Sequence, residues 1–556
     1  MSRVAKPEFD VVVVGSGAAG GMAAHELCRA GARVLMLEAG PMLDLEKDFF
    51  HHRMVYEFPH RGLPKRERAA YCYAANAWNK ASFVDERENP YTGTDFVWVR
   101  ARAVGGKTLH WGLVSLRLAP NDFKGRSHDG HGVDWPVSYE EIEPYYERVE
   151  RLIGISGSPD RIPNNPDSVY LPPVPLTCGE HILRRGVEAF PDRRLIMGRT
   201  ATATRPHNGR PACHYCGHCD RVCDVRASFS SLGVLIPPAL ATRNLTIRPN
   251  SLVHTVLVDR NNRATGVAYV DRVTHRHEEA RARVVVLGAS TLETTRLLLN
   301  SKSAAHPNGL ANSSGVLGKY FCEHIMGGSV DGIIHELAGR HGIPSDARPH
   351  GSGAYIPKFR NVTERSKEFL RGYGFEGGAG AGEFPGVAHR LAGFGAAFKR
   401  EVKRMWPATV GVTGCGEVLP RADNYVELDP VRRDAWGIPV LRFHVTWREN
   451  ELAMVKDMTA AAEEMFRAAK IEITRIRPGP LPPGYSIHEA GTARMGSDPR
   501  ESVVNRFNQA HDVRNLFLVD GSVFCNSSEK NPTLTIMALA MRASEHIVSE
   551  RKKGHL

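Results

Sequence analysis

Short, wholly apolar runs separated by glycine-rich turns are the dominant pattern along the chain. DVVVV (10–14), RVLMLEAG (33–40), RVVVLGAS (283–290) and LFLVDGSVF (516–524) each begin with such a run and break at small or acidic residues. Runs of this length, apolar on both faces and bounded by turn residues, predict buried parallel strands. Helical periodicity fills the spaces: GMAAHELCRAG (21–31), closing at Gly31, and TLETTRLLLNS (291–301). Two further segments read as amphipathic helices, SYEEIEPYYERVERLIG (138–154) and ENELAMVKDMTAAAEEMFRAAK (449–470). Ser138 followed by Glu141 has capping-box spacing. NYVELDP and PVLRFHVTW (424–447) are strand-like, and with the long helix they are expected to roof the nucleotide-binding part.

Between the first strand and its helix lies GSGAAG, with Gly15, Gly17 and Gly20 in G-x-G-x-x-G register. Glycines at these positions permit a tight turn and let the backbone and a helix N-terminus approach a pyrophosphate. Glu38 closes the second strand, where an acid can bond ribose hydroxyls. A second glycine-rich turn, RAVGGKTLHWG (102–112), and Asp520-Gly521 after the last strand belong to the same pattern. Nucleotide-domain pieces from one end of the chain to the other predict a discontinuous FAD domain rather than a compact nicotinamide domain. It is expected to take residues 1–45, 100–125, 206–325 and 486–556. A substrate-binding part and cap take 46–99, 126–205 and 326–485.

Four of the ten cysteines fall in ACHYCGHCDRVCDV. Cys213, Cys216, Cys219 and Cys223 have the spacing C-x2-C-x2-C-x3-C, that of a ferredoxin cluster loop. Asp224 stands where such loops usually carry Pro. Structural zinc is the competing reading, kept open by His214 and His218, although zinc sites usually use two separated knuckles. Free thiols are the third. A dinucleotide site beside an iron–sulfur site means electrons arriving in pairs and leaving singly. The other six cysteines are scattered and outline no disulfide framework.

Composition narrows the partners. The formal charge of +11 and pI near 9.2 come from dispersed basic residues, which favours an acidic electron acceptor or solubility over nucleic acid. The longest apolar stretches fall short of the roughly 18 residues of a membrane span. The polar start MSRVAKPEFD shows no signal peptide, so export is expected to depend on a partner. The glycine-rich stretch EGGAGAGEFPGVAH (376–389) reads equally as a substrate gate or an exposed connection. The histidines of FFHHR and RPHGS are expected at the surface or satisfied.

The segments GSGAAG, VGGKTLHWG (104–112), LGASTLETTRLLLNS (287–301), HEAGTARMG (488–496) and DGSVFCNSSEKNPTLTIMALA (520–540) make the chain resemble the glucose–methanol–choline (GMC) family of FAD oxidoreductases over nearly its full length. PYTGTDFVWVRARAVGG, VDWPVSYEEIEPYYERVERLIGISGS and GCGEVLPRADNYVELDP are most similar to its bacterial cluster-bearing glucoside 3-dehydrogenase branch. The resemblance implies an α/β fold, with a Rossmann-like FAD domain, an inserted α+β substrate domain built on an antiparallel sheet, and a cysteine-rich cluster loop (210–230). It implies His488 as the base that takes a hydroxyl proton and Asn531 as its partner. Asn531 before Pro532 also reads as a helix N-cap, with the helix N-terminus aimed at the flavin. Cofactor contacts are expected from Gly15, Gly17, Gly20, Glu38, Gly105, Gly106, Thr108, Asp520, Gly521, Pro532 and Thr533. His110 is expected either covalently linked to FAD or packed beside it. Relatives with three cluster cysteines match Cys213, Cys219 and Cys223, giving a 3Fe-4S cluster; all four give 4Fe-4S. The expected activity is oxidation of a secondary sugar or glycoside hydroxyl, with C3 of a pyranoside the leading candidate. Electrons pass to a cytochrome c-type acceptor, and a small export-competent subunit places the enzyme in the periplasm or on the inner membrane, the cytoplasm being the alternative. An oxygen-reducing oxidase with a structural metal loop and a non-catalytic redox sensor are the competing functions.

Overall fold

The apolar runs do become adjacent parallel strands. In the computed structural model, which describes residues 8–63, 72–340, 348–380 and 385–556, Leu245–Arg248, Val34–Leu37, Phe9–Val14, His277–Leu287 and Leu516–Leu518 lie side by side in one parallel array. The long strand His277–Leu287 also serves a second purpose. Its first half leaves the parallel array and pairs antiparallel with Ala264–Asp271, which pairs with Ser251–Val258. Val11–Val13 and Val284–Leu287 are wholly buried, which explains why these strands show no polar alternation. The polar chain start at 1–7 and the centre of the glycine-rich stretch at 381–384 lie outside the described residues. Of that stretch, 376–379 belong to the strand Tyr373–Ala379.

The second unit is an antiparallel sheet in the order Glu472–Pro480, His324–Ile333, Thr409–Glu417, Tyr373–Ala379, Ala354–Ile356, Ile196–Met197. The helix Glu449–Ala468 lies across it through Met454, Val455, Met458, Ala461, Ala462, Met465 and Phe466. Burying each large side chain contributes about 1.5–3 kcal/mol. The helix comes close because the strand beneath reads TVGVTGCGE: a Cβ at Gly414 or Gly416 would strike the sulfur of Met458 or Met454. The two strands expected to complete this roof do not belong to it. Tyr425–Arg433 and Pro439–His444 pair with each other and with Thr92–Gly93 in a separate three-stranded sheet, which buries Val426, Leu441 and Phe443 against Phe96, Trp98 and Phe321.

The helix Tyr139–Ile153, assigned to the substrate part, packs Ile142, Tyr146, Val149 and Ile153 into the core beneath the nucleotide sheet. Its start is the expected capping box: Glu141 N–H donates to Ser138 Oγ (3.4 Å) and Ser138 N–H to Glu141 Oε2 (3.0 Å). The buried Glu150 then takes a two-pronged ion pair from Arg117, 2.7 Å on each side, and Tyr146 Oη meets Thr535 Oγ1 at 2.8 Å on the last helix, Thr533–Lys552. Among the described residues no helix is long and apolar enough to cross a membrane.

Candidate active site

One elongated cavity runs from the first glycine turn to the start of the last helix. It is lined by Gly15, Gly17, Glu38, Gly106, Thr108, His488, Asp520, Gly521, Pro532 and Thr533, ten of the residues expected at the cofactor and catalytic site. The glycines have different jobs. Gly15 has φ +93° and packs on the Gly288 carbonyl; a Cβ on Gly20 would land on the Gly15 carbonyl, so Gly20 permits helix and strand to meet. Gly17 has nothing closer than 3.9 Å to an added Cβ, and that atom is the Cα of Gly106. The space beside it is the open floor over which a pyrophosphate can lie. Ser16 ties the wall together. Its hydroxyl donates to Glu38 Oε2 (2.6 Å) and accepts from Gly105 N–H (2.9 Å), and Ser231 Oγ donates to its carbonyl (2.7 Å). Glu38 also takes the N–H groups of Ser16 and Gly40, while burial pushes its carboxyl above the usual range. Ser251, Leu252 and Val253 line the same end. A glycine floor, an acid at the strand end and a cavity lined from the first glycine turn to the last helix fit the adenosine diphosphate half of FAD. Gly20, Gly105, His110 and Asn531 are not among the lining residues. Gly20 and Gly105 support the turns from behind. His110 instead stacks on Phe83, centroids 4.1 Å apart, and burial pushes its imidazole down to about 4.

At the other end, four side chains from four segments meet. His488 Nδ1 lies 2.9 Å from His324 Nδ1, and Asn531 Nδ2 lies 3.4 Å from His488 Nε2. Cys415 Sγ is 3.2 Å from His324 Nδ1. An amide NH2 can only donate, so Asn531 faces a lone pair on His488 Nε2. The ring proton is then at Nδ1, where it donates to His324. That tautomer leaves Nε2 as the atom able to take a hydroxyl proton. Burial, with His324 and Lys107 nearby, lowers His488 well below the ordinary histidine value, and burial brings His324 to about 4. Both rings are therefore neutral at pH 7.

The loop carrying His488 is braced on both sides. Glu323 accepts from Gly484 N–H (2.7 Å) and Ser486 Oγ (2.6 Å), and burial raises its carboxyl to about 8. Lys107 in the second glycine turn pairs with Glu489 at 2.7 Å. The Asn531 cap reading needs correction. The last helix begins at Thr533 with Pro532 at its N-cap and no side-chain cap bond, so the Asn531 amide is released to His488, and it also bonds Glu376.

Two stretches, 195–326 and 420–540, match the family model described as GMC oxidoreductase, and 8–66 match an FAD binding domain. The chain is 31% identical to 2-methyl-1,2-propanediol dehydrogenase of Mycolicibacterium austroafricanum, covering 97% of this chain and 95% of that one. It is 30% identical to the fructose dehydrogenase large subunit of Gluconobacter japonicus, covering 98% of each. The chain belongs to the GMC oxidoreductase family. C-glycoside 3-oxidase of Microbacterium trichothecenolyticum is 25% identical across 99% of this chain and 98% of its own. Members of the GMC oxidoreductase family oxidise CH–OH groups, and the FAD binding domain match at 8–66 supports FAD as the cofactor of this chain.

His324, Cys415, Glu376, Lys107 and Glu489 of this GMC oxidoreductase escaped sequence reading. His324 sits in an apolar stretch, FCEHIMGG, with no motif around it; the antiparallel bridge between Cys322 and Ala490 brings it to His488, and the pairing of its strand with Thr409–Glu417 brings it to Cys415. The cysteine loop lies on the other side of the second glycine turn. Cys213 and Cys223 pack with Leu171, Ala203 and Ala227, and Cys219 packs against the nucleotide core. Tyr215 N–H donates to Cys213 Sγ at 3.3 Å, the kind of bond that tunes cluster thiolates.

The neutral, depressed His488 sets a pH dependence. A base with a lowered pKa stays competent to lower pH, and activity is lost only as pH falls through that value. In the substrate-free enzyme kcat/KM is expected to stay level through pH 7 and to fall only below about 6.5, the ordinary histidine value. A pH profile of kcat/KM with a non-titrating acceptor measures this; an acid limb centred above 7 would contradict the neutral His488–His324 pair.

Proposed function

We propose that this protein is a dehydrogenase that oxidises a secondary hydroxyl of a sugar or glycoside, C3 of a pyranoside in the leading case, and passes the electrons one at a time to an external acceptor. The observation that carries the reading is the His488–Asn531–His324 cluster at the end of an FAD-fitting cavity. His488 Nε2 takes the hydroxyl proton, Asn531 Nδ2 holds the hydroxyl oxygen, and His324 keeps the ring tautomer. FAD, when bound, supplies the acceptor for the hydride leaving the same carbon. A carbonyl forms on the substrate: the C–H bond gives up a hydride, two electrons with one proton, and the O–H bond gives up a second proton to His488. The likeness to fructose dehydrogenase and C-glycoside 3-oxidase supports a sugar substrate.

For the exit path, Cys213, Cys219 and Cys223 hold an iron–sulfur cluster of the three-iron kind. Support comes from the packing of Cys219 against the nucleotide core and of Cys213 and Cys223 against Leu171, Ala203 and Ala227, together with the loop spacing. The large-subunit designation of the fructose dehydrogenase relative supports a smaller partner subunit; a cytochrome c-type acceptor and a periplasmic site of action are part of the same proposal. FAD is held without a covalent bond, because His110 is engaged with Phe83 outside the cavity lining.

The test is to incubate the anaerobically purified protein with a panel of glycosides and an artificial one-electron acceptor, and to locate the new carbonyl by NMR. A 3-keto product, with no oxygen consumed when the acceptor is omitted, is the expected result. Rapid oxygen consumption would replace the dehydrogenase reading with an oxidase. Iron and acid-labile sulfide should accompany FAD, and acid precipitation should release the flavin to the supernatant. Protein lacking sulfide removes the relay.

A further inference from the structure

The outer side of the cysteine loop gathers a second set of donors that the flavin chemistry does not use. Cys213, Cys219 and Cys223 face packed apolar side chains. Cys216 is absent from that apolar packing, although it stands close enough to Cys213 and Cys223 for the thiols to interact. Its sulfur and one ring nitrogen each of His51 and His218 all lie within 4.8 Å of one another. His51 comes from a distant part of the sequence and was expected at the surface or satisfied, yet it is 4% exposed. Its Nε2 is buried without a hydrogen-bond partner; Asp224 Oδ1 stands 3.6 Å away. Leaving such a nitrogen unbonded costs about 1–3 kcal/mol, so the position calls for a partner. His218 Nδ1 lies 3.0 Å from the His51 carbonyl, and since a carbonyl only accepts, that nitrogen carries the proton. A ring N–H held by a backbone carbonyl is the usual outer support of a metal-binding imidazole. Asp224 in turn lies 3.0 Å from His214.

One thiolate with two imidazoles is a donor set suited to Zn2+ and poorly suited to hard cations. We propose that Cys216, His51 and His218 form a mononuclear site for a zinc-type divalent cation, completed by Asp224 or water and separate from the three inward cysteines. The site ties the segment at residue 51 to the loop at residue 216, closing a long stretch of chain at the edge of the cluster. A bound cation there stabilises the folded loop, because the unfolded chain has no preformed site. The inference rests on the three-cysteine reading above, since it takes Cys216 out of the cluster.

The test uses the FAD-containing protein, purified anaerobically, as wild type, His51→Ala, the shape-keeping His51→Gln, and Cys216→Ser. Zinc affinity is measured by titration with Zn2+ against a competing chelator, and iron and sulfide are assayed in the same samples. Wild type should bind one Zn2+ per chain, with sulfur and nitrogen neighbours at the zinc X-ray absorption edge. Each variant should bind at least about 100-fold more weakly, because loss of even an outer-shell partner costs about 10–100-fold. Iron, sulfide and FAD should be unchanged in all variants, which also shows that they fold. Zinc held equally tightly by both His51 variants overturns the proposal. So does loss of iron and sulfide in Cys216→Ser, which would return Cys216 to the cluster. Wild type that binds zinc in a His51-dependent way but contains no iron or sulfide would defeat the cluster reading and leave the zinc site standing.

Discussion

Replacing His488 with Ala is expected to slow reduction of the bound flavin by sugar about 10²–10⁴-fold, the usual contribution of a positioned general base, while FAD stays bound. The nucleotide is held elsewhere: the Gly15–Gly20 turn and Glu38 lie at the far end of the cavity and make no bond to His488. The measurement is anaerobic stopped-flow loss of oxidised flavin absorbance, paired with flavin content. Asn531→Ala is expected to slow the same step with little change in the thermal midpoint, since the amide caps no helix. A merely structural Asn531 would move the midpoint and leave the rate alone. His324→Ala keeps the base but loses the acceptor that fixes its Nδ1 proton, so it should cost less than His488→Ala and, since His324 helps to lower the His488 pKa, move the acid limb of the pH profile to higher pH. Reduction by His488→Ala at the wild-type rate from pH 6 to 9 would move the base to another side chain.

The elements that could be read directly from the chain are those whose signal is local. Buried parallel strands announce themselves as apolar runs, and the G-x-G-x-x-G turn carries its own steric logic. The Ser138–Glu141 box is closed within one turn of helix. What the chain conceals depends on pairing over long distances. The strands Tyr425–Arg433 and Pro439–His444 look like roof strands by pattern, but a pattern does not say which sheet a strand joins. His324 meets His488 through an antiparallel bridge between Cys322 and Ala490, far apart in the chain. The Asn-Pro sequence at 531–532 supports a cap as well as it supports a free amide; geometry decides, because the helix begins one residue later. His51 was expected at the surface or satisfied because nothing near it in sequence predicts burial, without a hydrogen bond at Nε2, under a loop more than 150 residues away.

Two glycines three residues apart should fail in opposite ways. Gly20→Ala is expected to destabilise the protein itself, because its Cβ would occupy the Gly15 carbonyl position where helix and strand cross. Overpacking of that kind costs about 1–3 kcal/mol, seen as a lower thermal midpoint with or without FAD. Gly17→Ala should leave the FAD-free protein nearly unchanged. Its φ is −68°, which Ala adopts, and the nearest atom to the new Cβ is 3.9 Å away. That space is open only to the cofactor. A methyl group there meets the pyrophosphate instead of protein, and the same 1–3 kcal/mol then appears as an FAD affinity about 5- to 150-fold weaker. Fluorescence titration of deflavinated protein with FAD, alongside melts of the same samples, separates the two. Gly17→Ala that binds FAD as tightly as wild type would mean that the diphosphate does not cross this turn, and the cofactor path through the cavity would have to be redrawn.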